Sequence, residues 1–313
     1  MAGGQNNTAS GVQATVGGGV WDAALGSYAT VGGGWGNVAS NYLSTIAGGH
    51  NNVAMGNSAT ICGGYANTAN GSGAFVGGGG YDGSSYHANA ASGAASVVSG
   101  GLNNSGGGLY AVVGGGGGNS AAGNYATIPG GAYNLASGAY SFAAGRYAEA
   151  QHTGAFVWAD SQAPLFSSSV NDSVSFRCQG GVTFTSASGA GNSTVSWAPG
   201  NGSWQFSSDR NLKECFATVD TRTLLEKISQ LPITEWNYIG YAQRHIGPMA
   251  QDWQALFPLN DSDTMLNSAD VAGISVAAIQ GLNQKLNEKD AEIQALKQSV
   301  AELKAMVEKL AGK

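Results

Sequence analysis

Val31-Gly-Gly-Gly34 returns fifteen residues later as Ile46-Ala-Gly-Gly49, and again as Ile61-Cys-Gly-Gly64. The same aliphatic position recurs through the first half of the chain, at Met1, Val16, Val31, Ile46, Ile61, Val76, Val98, Val113 and Ile128. We expect the series to close at Phe142. A fixed period of this kind indicates a stack of like units that bury their core against one another.

Other columns accompany the aliphatic residue. Ala usually stands eight places later and Gly ten places later. Six places later each unit has Asn or Asp, at Asn7, Asp22, Asn37, Asn52, Asn67, Asp82, Asn104, Asn119 and Asn134. Fifteen extended residues would span about 50 Å, so each unit must fold back with at least two turns. We expect Gly and Asn or Asp to form these turns through positive φ, and the aliphatic residue and Ala to point into a narrow core.

This predicted core is thin for a solenoid that stands alone. Three chains side by side would bury a second face, so we expect a homotrimer. The alternative is a disordered glycine-rich segment, since the chain has 51 glycines, but disorder does not require such regular columns. The repeat resembles the head domains of trimeric autotransporter adhesins, which implies a β-roll.

The period fails once, because Val76 and Val98 are 22 residues apart. Asn89 already fits the Asn column, so the extra residues lie at about Tyr81 to His87. A loop that carries Tyr81, Tyr86 and His87 on a polar repeat is a candidate receptor contact. The alternative is a tolerated surface insertion.

Charge divides the chain near residue 207. Residues 1–207 carry two basic and five acidic side chains, whereas residues 208–313 carry 11 and 14. A mildly acidic chain without a basic patch argues against a nucleic-acid partner, and no apolar stretch is long enough for membrane insertion. The cysteines Cys62, Cys178 and Cys215 lack metal-type or redox-type spacing, so we expect no cofactor and no metal.

The C-terminal part carries several separate motifs. They are Ser208-Asp-Arg-Asn-Leu-Lys213, Leu231-Pro-Ile-Thr-Glu-Trp-Asn-Tyr238, His245-Ile-Gly-Pro-Met-Ala-Gln-Asp252 and Ala269-Asp-Val-Ala-Gly-Ile274. Their order closely resembles the intramolecular chaperone of endosialidase-type tail spikes and tail fibres, over about residues 207–285. The resemblance implies a domain that drives trimerisation and folding and then cleaves the chain between Ser207 and Ser208.

In this family, Ser208 would be the nucleophile and Lys213 its partner, with Asp209 and His245 as possible supporting residues. A serine hydroxyl needs a base, a lysine can serve when it is removed from water, and attack on the preceding carbonyl is intramolecular. The alternatives are structural. Ser-Asp is a common helix N-cap, and His245 could simply be packed.

A heptad seam continues without interruption from Ile279 to Leu310. Its members are Ile279, Leu282, Leu286, Lys289, Ile293, Leu296, Val300, Leu303, Val307 and Leu310. This spacing predicts a coiled coil. Ile or Val at a with Leu at d favours two strands, whereas the family resemblance implies three, with Lys289 as a possible register element.

The sequence therefore predicts a mainly β protein with four parts: Gly-rich β-solenoid repeats (1–147), a small β neck (148–207), an α+β chaperone and self-cleavage domain (208–280) and a C-terminal coiled coil (279–313). We expect an extracellular homotrimeric fibre, on a virion tail, an injection device or a cell surface, that binds a glycan or protein receptor. Because Met1 falls inside a repeat unit, we expect an anchoring part before it. The alternatives are a glycan-degrading tail spike and a structural filament without a receptor.

Overall fold

The computed structural model describes residues 3–186, 193–259 and 262–312. The chain divides into two compact units, residues 1–182 and residues 183–313. The first is a β-solenoid of about eleven turns and the second combines a small antiparallel sheet with helices. This agrees with the predicted fold class.

Each solenoid turn, or rung, contributes one short strand to each of two parallel sheets. The first sheet contains Thr8–Ala9, Ala23–Ala24, Val38–Ala39, Val53–Ala54, Thr68–Ala69, Ala90–Ala91, Ser105–Gly106, Ser120–Ala121, Leu135–Ala136, Ala148–Ala150 and Phe166–Ser167. The second contains Thr15–Val16, Thr30–Val31, Thr45–Ile46, Thr60–Ile61, Phe75–Val76, Val97–Val98, Val112–Val113, Thr127–Ile128, Phe142–Arg146, Phe156–Ala159 and Val174–Arg177, with Gly131–Ala132 paired to Phe142–Arg146.

The register places equivalent residues of successive rungs side by side, as in the pairs Val31↔Ile46 and Ala39↔Ala54. The aliphatic column from Val16 to Ile128 is at most 1% exposed, and the Ala column is equally buried from Ala24 to Ala136. Both inward columns were therefore predicted correctly. A further inward column, two residues before the aliphatic one, holds residues such as Ala29 and Ser44, so the core is fuller than the sequence suggested.

The Asn column forms a buried ladder, and its prediction as a turn column was wrong. Asn52 is fully buried, and its Oδ1 accepts a hydrogen bond from the backbone N–H of Asn67 at 2.9 Å. Its Nδ2 donates to Gly64 O at 3.0 Å and to Gly48 O at 3.2 Å. Each amide thus joins its own rung to the next one, which satisfies backbone groups that would otherwise be buried without partners.

The left-handed turn positions lie elsewhere. One is the glycine three residues after the aliphatic residue, such as Gly19 (φ 92°) and Gly49 (φ 98°), which agrees with the predicted turn role of glycine. The other two lie five and twelve residues after the aliphatic residue. They include Asn51 (φ 56°), Trp21 (φ 60°) and Tyr125 (φ 59°). The Gly column at ten places, by contrast, has ordinary φ. A Cβ on Gly56 would lie 2.0 Å from Gly71 O of the next rung, so glycine is required there by the close approach of two backbones.

Two details of the repeat differ from the prediction. Thr127 pairs with Phe142, so Ala143, not Phe142, continues the inward column, and Phe142 faces outward against Phe156 with 4.6 Å between ring centroids. In the rung that follows Val76, the Asn ladder is continued by Asn89, whose N–H donates to Asn67 Oδ1. Asp82 therefore lies in the insertion and outside the ladder.

The solenoid extends beyond residue 147. Phe156–Ala159 pairs with Phe142–Arg146, and Val174–Arg177 pairs with Phe156–Ala159. The first part of the predicted neck is therefore further solenoid, and the separate three-stranded sheet comprises Val182–Thr185, Thr194–Trp197 and Gln205–Phe206.

The second unit contains α1 (Thr221–Ile228), a hairpin of Thr234–Trp236 with His245–Gly247, α2 (Ala250–Leu256) and α3 (Ser268–Ala311). A small core is formed by Leu231, Trp253, Phe257 and Ile274. The predicted heptad segment lies on one long helix, α3, and the apolar residues of its seam from Ile279 to Leu310 are 46–75% exposed in the single chain. Its association into a coiled coil stays a prediction. Among the described residues, no helix is both long enough and apolar enough to cross a membrane.

Candidate functional site

Ser207 and Ser208 follow the last strand of the three-stranded sheet. Ser207 is fixed to the neighbouring strand, since its N–H donates to Thr194 O at 2.9 Å and its Oγ accepts from Thr194 N–H at 3.0 Å. Ser208 is the next residue and is exposed. The peptide bond between the two serines therefore lies where the chain leaves a hydrogen-bonded strand.

A single 3₁₀ turn, Arg210–Leu212, brings Lys213 back to Ser208. Asp209 is the N-cap of this turn, and its Oδ1 accepts from Asn211 N–H at 2.9 Å. Lys213 follows the turn in an extended conformation, and its Nζ donates to Ser208 Oγ at 2.7 Å. The five-residue spacing thus places an amine against a serine hydroxyl, whereas the Asp209 carboxylate is used locally to cap the turn.

The described contacts of His245 are with residues other than Ser208 and Lys213. Its ring stacks on Trp236 with 4.6 Å between centroids and meets Tyr238 edge-on at 5.9 Å. These are the contacts of a packed hairpin, and they give His245 no visible part in the chemistry of Ser208. Cys215 is exposed and adopts φ 56° just after Lys213.

A comparison with protein families identifies this region. Residues 208–260 match the family described as chaperone of endosialidase. Residues 208–260 form a chaperone domain of the endosialidase type. The matched region begins at Ser208, so the chaperone domain starts with the residue on the C-terminal side of the predicted cleavage bond, and it includes Lys213, α1, the hairpin and α2.

The predicted resemblance is therefore confirmed. A β-solenoid of about eleven turns followed by an endosialidase chaperone domain is the organisation of a tail-fibre-like protein. The family is associated with phage tails. No curated protein matches the chain.

The insertion loop, residues 81–87, is a second candidate site. An antiparallel bridge between Tyr81 and Tyr86 closes it, and His87 N–H donates to Gly80 O at 2.9 Å. Asp82 Oδ1 accepts from Ser84 N–H, Ser84 Oγ and Ser85 N–H at 2.7–3.0 Å. These hydrogen bonds, led by that from Ser85, hold the pKa of Asp82 below its ordinary value. The loop is thus a tied hairpin that exposes Tyr81, Tyr86 and His87.

The loop packs against a line of aromatic side chains on the neighbouring rungs. We call the set Trp35, His50, Tyr65, Tyr86 and Tyr81 the aromatic row. Successive ring centroids are 4.1, 4.7, 4.3 and 4.6 Å apart. The sequence contains a spacing that predicts this row, because Trp35, His50 and Tyr65 each stand four places after an aliphatic core residue.

Four carboxylates of the solenoid unit, those of Asp22, Asp82, Glu149 and Asp160, accept hydrogen bonds from neighbouring groups. Asp22 is fully buried in the Asn ladder, and Asp82 caps the insertion loop. Asp160 is bonded to Arg177 at 2.9 Å, and Glu149 accepts from Ser167 Oγ at 2.6 Å. In the part of the chain that the structure describes, no group of three or more His, Cys, Asp or Glu side chains could hold a metal ion.

Proposed function

We propose that the chain is the subunit of a homotrimeric adhesive fibre, whose chaperone domain assists trimerisation and folding and then cleaves the chain between Ser207 and Ser208. The observation that carries the proposal is the 2.7 Å contact between Lys213 Nζ and Ser208 Oγ at the first residue of the family match. The same contact in an unrelated loop would be an ordinary surface hydrogen bond.

The proposed reaction requires only groups of this chain and water. Lys213 Nζ, as the neutral amine, takes the proton of Ser208 Oγ while Oγ attacks the carbonyl carbon of Ser207. The C–N bond then breaks and the Ser208 nitrogen receives the proton, which leaves an ester between the Ser207 acyl group and Ser208 Oγ. Water hydrolyses this ester to a Ser207 carboxylate and a free Ser208 hydroxyl. Because nucleophile and carbonyl belong to adjacent residues, little translational entropy is lost.

In this proposal, cleavage requires assembly of the trimer. Ser208 and Lys213 are both exposed to water in the single chain. The seam of α3 is exposed as well and needs partner helices to bury it. We infer that three chains associate through this seam and that their packing removes water from the Ser–Lys pair, which favours the neutral amine.

The test is the intact mass of the purified full-length protein in native and denaturing conditions. The wild type should be a trimer whose chains separate into fragments 1–207 and 208–313 after denaturation. Ser208→Ala should remain uncleaved, whereas the matched control Ser207→Ala should still be cleaved. A Ser208→Ala protein that yields the same two fragments would overturn the assignment.

Dependence on assembly is tested by charging the seam. Leu296→Lys should prevent both trimer formation and cleavage, because it places three ammonium groups in one apolar layer. Gln294→Lys, a neighbouring substitution outside the seam, should leave both intact. Efficient cleavage of a monomeric Leu296→Lys protein would refute the role of assembly, although not that of Ser208.

The adhesive part of the proposal concerns the insertion loop. Tyr81, Tyr86 and His87 are exposed on a tied hairpin, which suits a contact surface. Binding of the trimer to whole bacteria from a panel of strains should be lost when residues 81–87 are deleted. A trimer that binds none of the strains would instead favour a structural filament.

A further inference from the structure

The aromatic row extends the candidate contact surface well beyond the insertion loop. Trp35, His50 and Tyr65 lie on three consecutive rungs, and Tyr86 of the loop packs on Tyr65 at 4.3 Å. With rungs about 4.8 Å apart, the row covers roughly 14 Å of one corner of the solenoid. Trp35, Tyr81 and Tyr86 are 48, 46 and 59% exposed. The insertion thus lengthens an existing row of rings instead of forming a separate site.

The backbone beneath the row is already paired. Trp35 N–H donates to Gly49 O, His50 N–H to Gly64 O and Tyr65 N–H to Gly79 O, all within 3.0 Å. The carbonyls of Trp35 and His50 accept from residues 51 and 66 of the next rungs. An extended peptide that binds by adding a strand would find no free edge here. The row is also one ring wide and flanked by glycines, which is narrow for the apolar centre of a protein interface.

The charge of the surface excludes another class of ligand. Residues 1–145 contain no Lys and no Arg. Asp82, whose pKa is lowered by the hydrogen bonds within its loop, is a fixed negative charge next to Tyr81. An anionic polymer, such as a nucleic acid or an acidic polysaccharide, would meet a carboxylate and no cation. A neutral ligand that donates hydrogen bonds fits better, because the Asp82 carboxylate is an acceptor only.

From these observations we propose that the aromatic row binds a neutral linear glycan. Sugar rings present apolar C–H faces to aromatic side chains and hydroxyl groups to acceptors, and Tyr, Trp and His combine an apolar body with a polar tip. Along the row, the rings would contact successive sugars, and Asp82 would accept a sugar hydroxyl. This proposal rests on the adhesive role proposed above and names the chemistry of its receptor.

The experiment uses the full-length protein and a bacterial strain that it binds. The bacteria are treated either with periodate, which cleaves the vicinal diols of sugars, or with protease. Binding should be lost after periodate and survive protease treatment. The purified neutral polysaccharide of that strain should compete, whereas an acidic polysaccharide should not. Binding abolished by protease, or competed only by an acidic polymer, would overturn the glycan proposal while the adhesive role stands.

Alanine substitutions test whether binding depends on the aromatic row. Trp35→Ala and Tyr86→Ala should each weaken binding at least about fivefold. Tyr125→Ala is the matched control, because Tyr125 is also an exposed ring stacked between neighbours, at 5.1 Å from Tyr110 and 4.9 Å from Tyr140. Equal binding by all three variants would refute the site. Binding to no strain would reject the adhesive role, and this proposal with it.

Discussion

Asp22 occupies a place in the solenoid that suits an amide better than a carboxylate. It lies in the Asn ladder and is fully buried. Its Oδ1 accepts from the N–H and the Nδ2 of Asn37 at 2.8 and 3.0 Å. Its Oδ2 is buried without a hydrogen-bond partner. In the next rung, Nδ2 of Asn37 fills the same position and donates to Gly33 O at 3.2 Å and Gly49 O at 2.8 Å.

The geometry of the turn glycines shows that the two side chains superpose. A Cβ on Gly19 would lie 2.2 Å from Asp22 Oδ2, and a Cβ on Gly34 would lie 2.6 Å from Asn37 Nδ2. A carboxylate oxygen therefore stands where the ladder uses a donor, and it faces the carbonyls of neighbouring turns. A carboxylate has no hydrogen to donate to them.

We therefore expect Asp22→Asn to stabilise the solenoid. The substitution preserves size and shape, removes one buried unsatisfied atom and allows two hydrogen bonds, which together are worth about 1–3 kcal/mol. Because rungs of a solenoid interact mainly with their neighbours, the gain should be concentrated near Asp22. Urea unfolding followed by circular dichroism measures the total, and amide hydrogen exchange at Asn37 measures the local part.

Asn52→Asp provides the reciprocal test. Asn52 has the same buried position and a fully bonded Nδ2, so its replacement by Asp should destabilise the solenoid by a similar amount. The ladder argument would fail if Asp22→Asn left both the urea midpoint and the local exchange rate unchanged while Asn52→Asp was equally neutral.

Two further predictions concern the backbone and the acid response of the solenoid. Gly56→Ala should cost at least about 2 kcal/mol, because its Cβ would overlap a backbone oxygen of the next rung; Gly63→Ala, where nothing lies within 4 Å of the added Cβ, should change the urea midpoint little. The pKa of Asp160 is lowered by the Gln179 N–H and then by Arg177. Its contribution to stability is therefore present at neutral pH and lost as the pH falls through that lowered value. Thermal unfolding measured down to strongly acidic pH should show this loss, and Asp160→Asn should remove that part of the pH dependence.

The two principal inward columns could be predicted from the sequence because burial leaves a strong pattern. A β-branched residue such as Ile46 among glycines has few places in a narrow rung other than the core. The Asn column was misassigned because asparagine suits both a left-handed turn and a buried ladder, and spacing alone does not distinguish them. The neighbouring rung decides between the two, since Asn52 Oδ1 meets the N–H of Asn67 at 2.9 Å.

The closing residue was misassigned for a related reason. Phe142 is the larger apolar side chain, so a hydrophobicity pattern selects it over Ala143. The register of Thr127 with Phe142 places Ala143 in the core, where the narrow rung accepts a small residue. The outward Phe142 finds its apolar contact in Phe156 of the next rung. In a thin solenoid, side-chain size thus matters as much as hydrophobicity in deciding which residue points inward.

The two candidate sites differ in how far sequence alone could reveal them. Ser208 and Lys213 are five residues apart, and one local turn suffices to bring Nζ to Oγ, so a short motif contains most of the geometry. The aromatic row requires the register of three rungs and the fold of the insertion loop before Tyr86 meets Tyr65. A solenoid turns any residue type repeated at its period into a line on the surface. The outward positions of this repeat vary from rung to rung, so the binding surface that we propose depends on them, whereas the inward columns specify only how the rungs stack.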